Sequence, residues 1–373
     1  MIQALLGHPM QGVELHHVRM AYSKGMLDIG KPGVVKVLHL LGVVARSAAA
    51  IIRRRPDIVY YPPGGPNRAP VLRDVATLFA LRPISRRLVL HFHAAGTSQV
   101  WERGLRPRPL AWAFRRAFFG ADAAIVQART NPPDGQVLQA RRVYYIPNGI
   151  PDESPGWDEA IAARAAPHEL RLLFVGVMLE SKGVLDLARA TRSLWDRGVQ
   201  FRVVFVGDHS PEMRSRLLDE VGPHAGRVEF RGVLSGREKW EQYATADVLA
   251  YPSYFEAESL GNVLLEAMMF SLPAVATVWR GLAEVVVDGE TGFLVQVHDV
   301  PALSDRLERL LTDAALRGAM GKAGRRRFLA EYTIERHIER MRAAFLEVAG
   351  FGAGGSSGES GLKSSGRGAD PSS

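Results

Sequence analysis

Along the first 150 residues, short apolar runs alternate with stretches of helical periodicity, a pattern that predicts βαβ units around a mainly parallel sheet. The strand candidates are IQALL (2–6), DIVYY (57–61), RLVLHFH (87–93), AAIVQ (123–127) and VYYIP (143–147). The stretch 33–52 approaches membrane-span length, but Lys36, His39 and Arg46 interrupt it, so it reads as a soluble helix. Residues 102–122 mix Trp112, Phe114, Phe118 and Phe119 with Arg106, Arg108, Arg115 and Arg116. That is the pattern of a core-facing helix with a solvated Arg face, or of one lying on an anionic membrane.

From residue 146 to 169 the composition shifts to Pro, Gly and acidic residues with little periodicity, as in an interdomain linker. The strand–helix alternation then resumes. RLLFV (171–175) precedes a helix beginning near Gly183, and further strands are FRVVFVG (201–207), VEFRGVL (228–234) and ADVLAYPS (246–253). Helical patterns follow at 300–311 and 314–330, and an amphipathic final helix at 335–349. The Gly/Ser-rich tail 350–373 reads as disordered. The expected layout is therefore a first domain at 1–150, a linker at 151–168, a second domain at 169–331, a final helix at 332–349 and the tail.

The stretch YPSYFEAESLGNVLLEAM (251–268) concentrates the candidate chemistry, because a strand end, an acidic turn and a helix start meet there. Helix N-termini offer unpaired N–H groups and a positive dipole end, so the amides around Gly261 and Asn262 suit a phosphate. Glu258 and Glu266 suit sugar or ribose hydroxyls, which donate to carboxylates. Read locally, two solvated glutamates beside an ordinary helix cap account for the same pattern. Lys182 stands just before another helix start, where a cation gains nothing from the dipole unless both face one anion. His91 and His93 end a strand, the position from which open α/β sheets address their ligand crevice. His93 is the candidate there, against a core histidine bonded to backbone, and His91 reads as structural. Gly7 and Gly12 bracket a loop before a helix, where backbone can approach a phosphate or an acceptor.

Composition narrows the classes. At 373 residues the chain fits two domains, and its 47% apolar content fits a folded globular protein. Absence of cysteine excludes disulfides and thiolate metal sites and suits a reducing compartment. The opening MIQALLGHPMQG has neither a basic leader nor a long apolar run, so secretion is not expected. Residues 1–150 hold 21 Lys+Arg against 7 Asp+Glu, a net +14, while the remainder carries 26 against 32 and a net −6. Such asymmetry suits anionic lipid or an acidic substrate. No nucleic-acid-binding motif accompanies it, and none of the glycine fingerprints of dinucleotide sites is present.

The run E-SLGNVLL-E at 258–266, with PSYFEAESLGNVLLEAM and LPAVATVWRGLAEVVVDGETGFLV around it, resembles the family-4 retaining glycosyltransferases of the GT-B fold. The resemblance extends from about residue 7 to 346. It implies an α/β fold of two Rossmann-like domains whose parallel sheets face an interdomain cleft, with the final helix crossing back to the first domain. It also implies transfer of a sugar, with retention, from a UDP- or GDP-sugar to a carbohydrate or lipid-linked acceptor, with no cofactor and no metal. Under it, His93 and Glu258 are the catalytic candidates and Gly12, Lys182, Gly261, Asn262 and Glu266 bind the donor. Lys182 matches the family's diphosphate-neutralising Lys, but the accompanying Arg position holds Val177. Arg280, where the family usually has glycine, is a candidate phosphate contact that replaces the missing charge. These departures motivate an alternative, an inactive subunit that binds donor and supports a partner enzyme. A cytoplasmic location, peripheral at the inner face of the cell membrane, is the expected setting.

Overall fold

The computed structural model describes residues 2–20 and 34–350. Its first unit is built on four parallel strands in the order β1-β2-β3-β4, with β1 Val59–Tyr61, β2 Leu88–Phe92, β3 Ala123–Val126 and β4 Val143–Tyr145. Helices α1 Ile2–Gly7, α2 Val34–Arg54, α3 Arg68–Leu81, α4 Thr97–Glu102, α5 Arg108–Phe118 and α6 Asp134–Val137 surround them. β2 and β3 are buried along their whole length, which explains their unbroken apolar runs. One face of this sheet packs Leu90, Phe92 and Val126 against α3 and α5 through Val75, Leu78, Phe114 and Phe118.

The second unit contains six parallel strands in the order β10-β9-β8-β5-β6-β7. They are β5 Arg171–Val175, β6 Arg202–Val206, β7 Val228–Phe230, β8 Val248–Tyr251, β9 Ala274–Thr277 and β10 Gly292–Val295. Helices α7 Asp158–Ala163, α8 Val184–Asp196, α9 Pro211–Val221, α10 Gly236–Thr245, α11 Asn262–Met269, α12 Leu282–Val285, α13 Val300–Thr312 and α14 Ala314–Glu331 complete it. The chain builds outward from β5 to β7, then returns to place β8 on the other side of β5. That reversal is the topological switch point at which open α/β sheets bind ligands. The protein is thus α/β with two parallel sheets, each with its own core.

The last helix, α15 Ile334–Ala349, does cross back. Its apolar stripe Ile338, Met341, Phe345 and Val348 packs on Val89, Ile125 and Ile146 of the first unit. Thr333 forms a parallel bridge with Ile150 at the point where the chain first leaves that unit, so the outgoing and returning segments are tied side by side.

Three expectations change, and a fourth shifts only in its bounds. IQALL is helical, not a strand: α1 buries Leu5 beside Met10, Met341 and Phe345, a one-sided burial that a helical stripe satisfies without a sheet neighbour. Residues 102–122 hold the end of α4 and the separate helix α5, divided by the Arg106-Pro107-Arg108 turn. The linker carries α7, whose Ile161 packs with Trp157 on the second core. The helix of residues 33–52 runs Val34–Arg54, and no helix among the described residues is long and apolar enough to cross a membrane. The Gly/Ser-rich tail beyond Gly350 lies outside the described residues.

Candidate functional site

At the switch point the loop after β5 meets the exit of β8. Gly183, at φ 72°, caps α8 in a left-handed conformation, and a Cβ there would fall 2.0 Å from the Pro252 carbonyl oxygen. This close approach brings Lys182 over the acidic turn. Its Nζ lies 2.6 Å from Glu258 Oε2 and 2.9 Å from the Tyr251 hydroxyl, and sits over the Phe255 ring at 4.5 Å. The same carboxylate oxygen accepts from Tyr251 (2.8 Å) and Ser253 (3.0 Å). Burial first, and the adjacent carboxylate second, hold the Tyr251 phenol well above its ordinary pKa, so it remains a donor.

α11 begins at Asn262, and its cap Gly261 has φ 73° with a Cβ position 2.4 Å from the Leu282 side chain. No side chain caps the helix, so its first amides stay open to a ligand. One turn further, Glu266 is buried. Its Oε1 accepts from Lys239 at 2.6 Å and its Oε2 from Tyr243 at 2.6 Å. Two Lys–Glu–Tyr groups thus flank the start of α11, one assembled across the switch point and one from α10. An ionised carboxylate has about four acceptor positions, so Glu266 retains capacity for hydroxyl donors beyond these two. The pattern E-SLGNVLL-E identified both glutamates. Lys239 and Tyr243 escaped it, because their spacing of four on α10 is also that of any helical face.

Across the cleft, His93 follows β2 half-buried, its Nδ1 2.9 Å from Gln127 Nε2 and its Nε2 3.5 Å from the Tyr60 hydroxyl. His91 is fully buried, packs at a tilt on His93 with ring centroids 3.9 Å apart and pairs through Nδ1 with Tyr60 at 2.7 Å. Burial above all, with His337 adding repulsion, lowers His93 from 6.5 to about 4, so the ring is neutral at pH 7. From Gln127 the bonds run on to Asn148 (2.7 Å) and from Asn148 to Asn262 (3.0 Å). The first-unit histidine and the N-terminus of α11 therefore belong to one network.

Arg280 is placed differently from its sequence expectation. It has φ 46°, donates through Nη1 to the Ala95 carbonyl at 2.9 Å and through Nη2 to Gln99 at 3.2 Å, while its own carbonyl accepts from Thr130 at 2.7 Å. With Asn131 bonded to Gly281 (2.9 Å) and Ser259 (3.1 Å), and Arg103 paired with Glu256, it fastens the two units. Its guanidinium is thus engaged as an interdomain strut. Val177 is half-buried in the β5–α8 loop. Gly12 lies against Leu346 of α15, beside the Arg342 bond to the Gln11 carbonyl, and none of its contacts reaches the Lys182–Glu258 group.

Residues 158–327 match the family model described as "Glycosyl transferases group 1". Over that stretch, somewhat under half of its length, the chain is similar to the group 1 glycosyltransferases. Among curated relatives, a D-inositol 3-phosphate glycosyltransferase of Corynebacterium aurimucosum is 37% identical over 163 residues, covering 42% of this chain and 38% of that protein. A putative colanic acid biosynthesis glycosyltransferase, WcaL of Escherichia coli, is 28% identical over 293 residues, covering 75% and 67%. The first relatives are matched over 38% to 60% of their own length, so the chain spans less than two thirds of them. In fold it is similar to sucrose-phosphate synthase from Thermosynechococcus elongatus, with TM-score 0.68, 24% identity and coverage of 84% and 79%. It is also similar to Anabaena HepE in complex with UDP and glucose, with TM-score 0.61, 17% identity and 84% of each chain covered. The chain shares with them the GT-B architecture of two parallel-sheet units.

Proposed function

We propose that this protein transfers a sugar from a nucleotide diphosphate donor, UDP- or GDP-linked, to an acceptor hydroxyl with retention at the anomeric carbon and without a metal. The observation that carries this is the pair of Lys–Glu–Tyr groups on either side of the uncapped α11 N-terminus at the switch point. The α11 amides and Lys182 stabilise the charge that develops on the departing diphosphate, the job a divalent cation does elsewhere. Glu266 takes the ribose hydroxyls, Glu258 contacts the sugar and His93 orients it from the opposite unit. The acceptor approaches from the first unit and loses its proton to the donor phosphate.

A second reading, a donor-binding subunit that supports a partner enzyme, draws on Val177 and on the guanidinium of Arg280 being tied to Ala95 and Gln99. One experiment separates them. Purified protein is screened against UDP- and GDP-sugars by thermal shift, and the binders are assayed for free nucleotide release. Binding raises apparent stability by mass action, about 2.7 kcal/mol at a hundredfold excess over Kd. Binding with release is the expected outcome, binding without release across carbohydrate and lipid-linked acceptors supports the partner role, and no binding at all overturns both.

Polysaccharide or glycolipid synthesis at the inner membrane face is the proposed setting. α5 buries Phe114, Ala117 and Phe118, which leaves Trp112 61% exposed beside Phe79 of α3, their rings 5.5 Å apart. Leu72 extends the apolar stripe, and Arg68, Arg108, Arg115 and Arg116 lie exposed on the same two helices. Basic residues at an anionic bilayer contribute about 1 kcal/mol each. Sedimentation with phosphatidylglycerol-containing vesicles is expected to pellet the protein at low salt, and Trp112→Ala with Arg115→Ala should weaken it at least tenfold. Failure to pellet at every salt concentration would remove the membrane role.

A further inference from the structure

Gln127 ends β3 with its side chain buried, and nothing in the glycosyltransfer reading above uses it. Its amide nitrogen lies 2.9 Å from His93 Nδ1 and 2.7 Å from Asn148 Oδ1. A primary amide nitrogen carries two hydrogens, one for each of these acceptors, so Nδ1 of His93 must present a lone pair. On the other side of the ring the Tyr60 hydroxyl, kept protonated by burial, lies 2.7 Å from His91 Nδ1 and 3.5 Å from His93 Nε2. A hydroxyl oxygen has two lone pairs, so Tyr60 offers His93 Nε2 an acceptor.

We propose that Gln127 is a positioning residue that fixes His93 as the neutral Nε2–H tautomer, making the histidine a hydrogen-bond donor into the cleft and not a base. At 3.5 Å the Tyr60 oxygen holds that hydrogen loosely, so a ligand oxygen at ordinary hydrogen-bond distance takes it over. The His91 ring packs against His93 at a tilt, centroids 3.9 Å apart. Through Asn148, which donates to Asn262 Oδ1 at 3.0 Å, the same amide is anchored to the first residue of α11, so the tautomer is set in the arrangement that brings His93 to the donor helix. The orientation of His93 toward a sugar oxygen rests on the glycosyltransferase reading, whereas the tautomer does not.

The test is long-range ¹H–¹⁵N correlation on histidine-labelled full-length protein without ligand, with His93 assigned from the His93→Gln spectrum. Wild type at pH 7 is expected to show His93 as a single Nε2–H species. A hydrogen on Nδ1, or a charged ring, overturns the proposal. Gln127→Glu offers acceptors only, so it should move the hydrogen to Nδ1 and raise the pH at which His93 charges, a result that a purely structural role would not give. Gln127→Leu, with neither donor nor acceptor, should give a tautomer mixture; a spectrum unchanged in both variants also overturns it. In donor turnover, Gln127→Glu is expected to lower kcat at least tenfold near pH 7 and to shift the acid limb of the pH profile upward. An Nε2–H signal in wild type with no turnover on any nucleotide-sugar would sustain the tautomer and sink the glycosyltransferase reading instead.

Discussion

Replacing Lys182 with methionine is expected to lower kcat/KM for nucleotide-sugar turnover by about 10²–10³-fold, the loss typical of removing one preorganised group that stabilises developing negative charge. The stem of the side chain is retained and the charge is lost, so the change reports electrostatics more than packing. Lys182 and Glu258 are only 14% and 10% exposed, which means the substitution also strips a buried carboxylate of its cation. Glu258 keeps the hydroxyls of Tyr251 and Ser253, so the fold should survive with a stability loss of about 1–3 kcal/mol. Steady-state kinetics with a thermal melt of the same preparation checks both. Wild-type kcat/KM in the variant would remove Lys182 from the leaving-group site and with it the main support for metal-free transfer.

Acid should destabilise this protein as pH falls below about 6.5. Burial lowers His93 from 6.5 to about 4, drives His91 well below its usual value and lowers His337, which stacks 6.3 Å from His91 and bonds the Pro147 carbonyl. A histidine whose folded-state value is depressed binds its proton in the unfolded chain first. Its neutral burial therefore contributes full stability above about pH 6.5 and loses it as pH falls toward 4. For His93 alone the difference is about 3 kcal/mol. Asp74 and Asp134, whose values burial raises, act with the opposite sign at lower pH. Urea melts from pH 7.5 to 4.5 should show stability level above about pH 6.5 and falling below it, with a shallower slope in His337→Gln. A flat profile would contradict the neutral histidine stack.

α15 also explains why acid sensitivity and the cleft are linked. His337 reaches the histidine stack from the helix that returns to the first unit, on the same turn as the Ile150–Thr333 bridge. Charging the stack there weakens the crossing helix itself, so loss of activity and loss of interdomain packing should coincide in pH.

Much of the second unit was legible in the chain. β5, β6 and β8 are buried strands, and unbroken apolar runs announce those directly. The two glutamates and the start of α11 were legible because motif and helix boundary coincide in one continuous stretch. The first unit was harder. IQALL satisfies a strand and a helix stripe equally over five residues, and only the neighbours Met341 and Phe345, more than 330 positions away, select the helix. Arg280 read as a candidate phosphate contact, and its engagement with Ala95 and Gln99 depends on how the two units meet.

The sequence by itself determined the alternation of strand and helix, the parallel α/β class and the residues of the acidic turn, because each is encoded by local periodicity or by a contiguous motif. Tertiary structure alone decided which groups face one another: Lys239 and Tyr243 on Glu266, Gln127 between His93 and Asn148, and Arg280 across the cleft. The reason is physical. Hydrogen bonds and ion pairs act over a few ångströms in space, and the partners here come from separate elements whose meeting depends on the packing of both sheets and the return of α15.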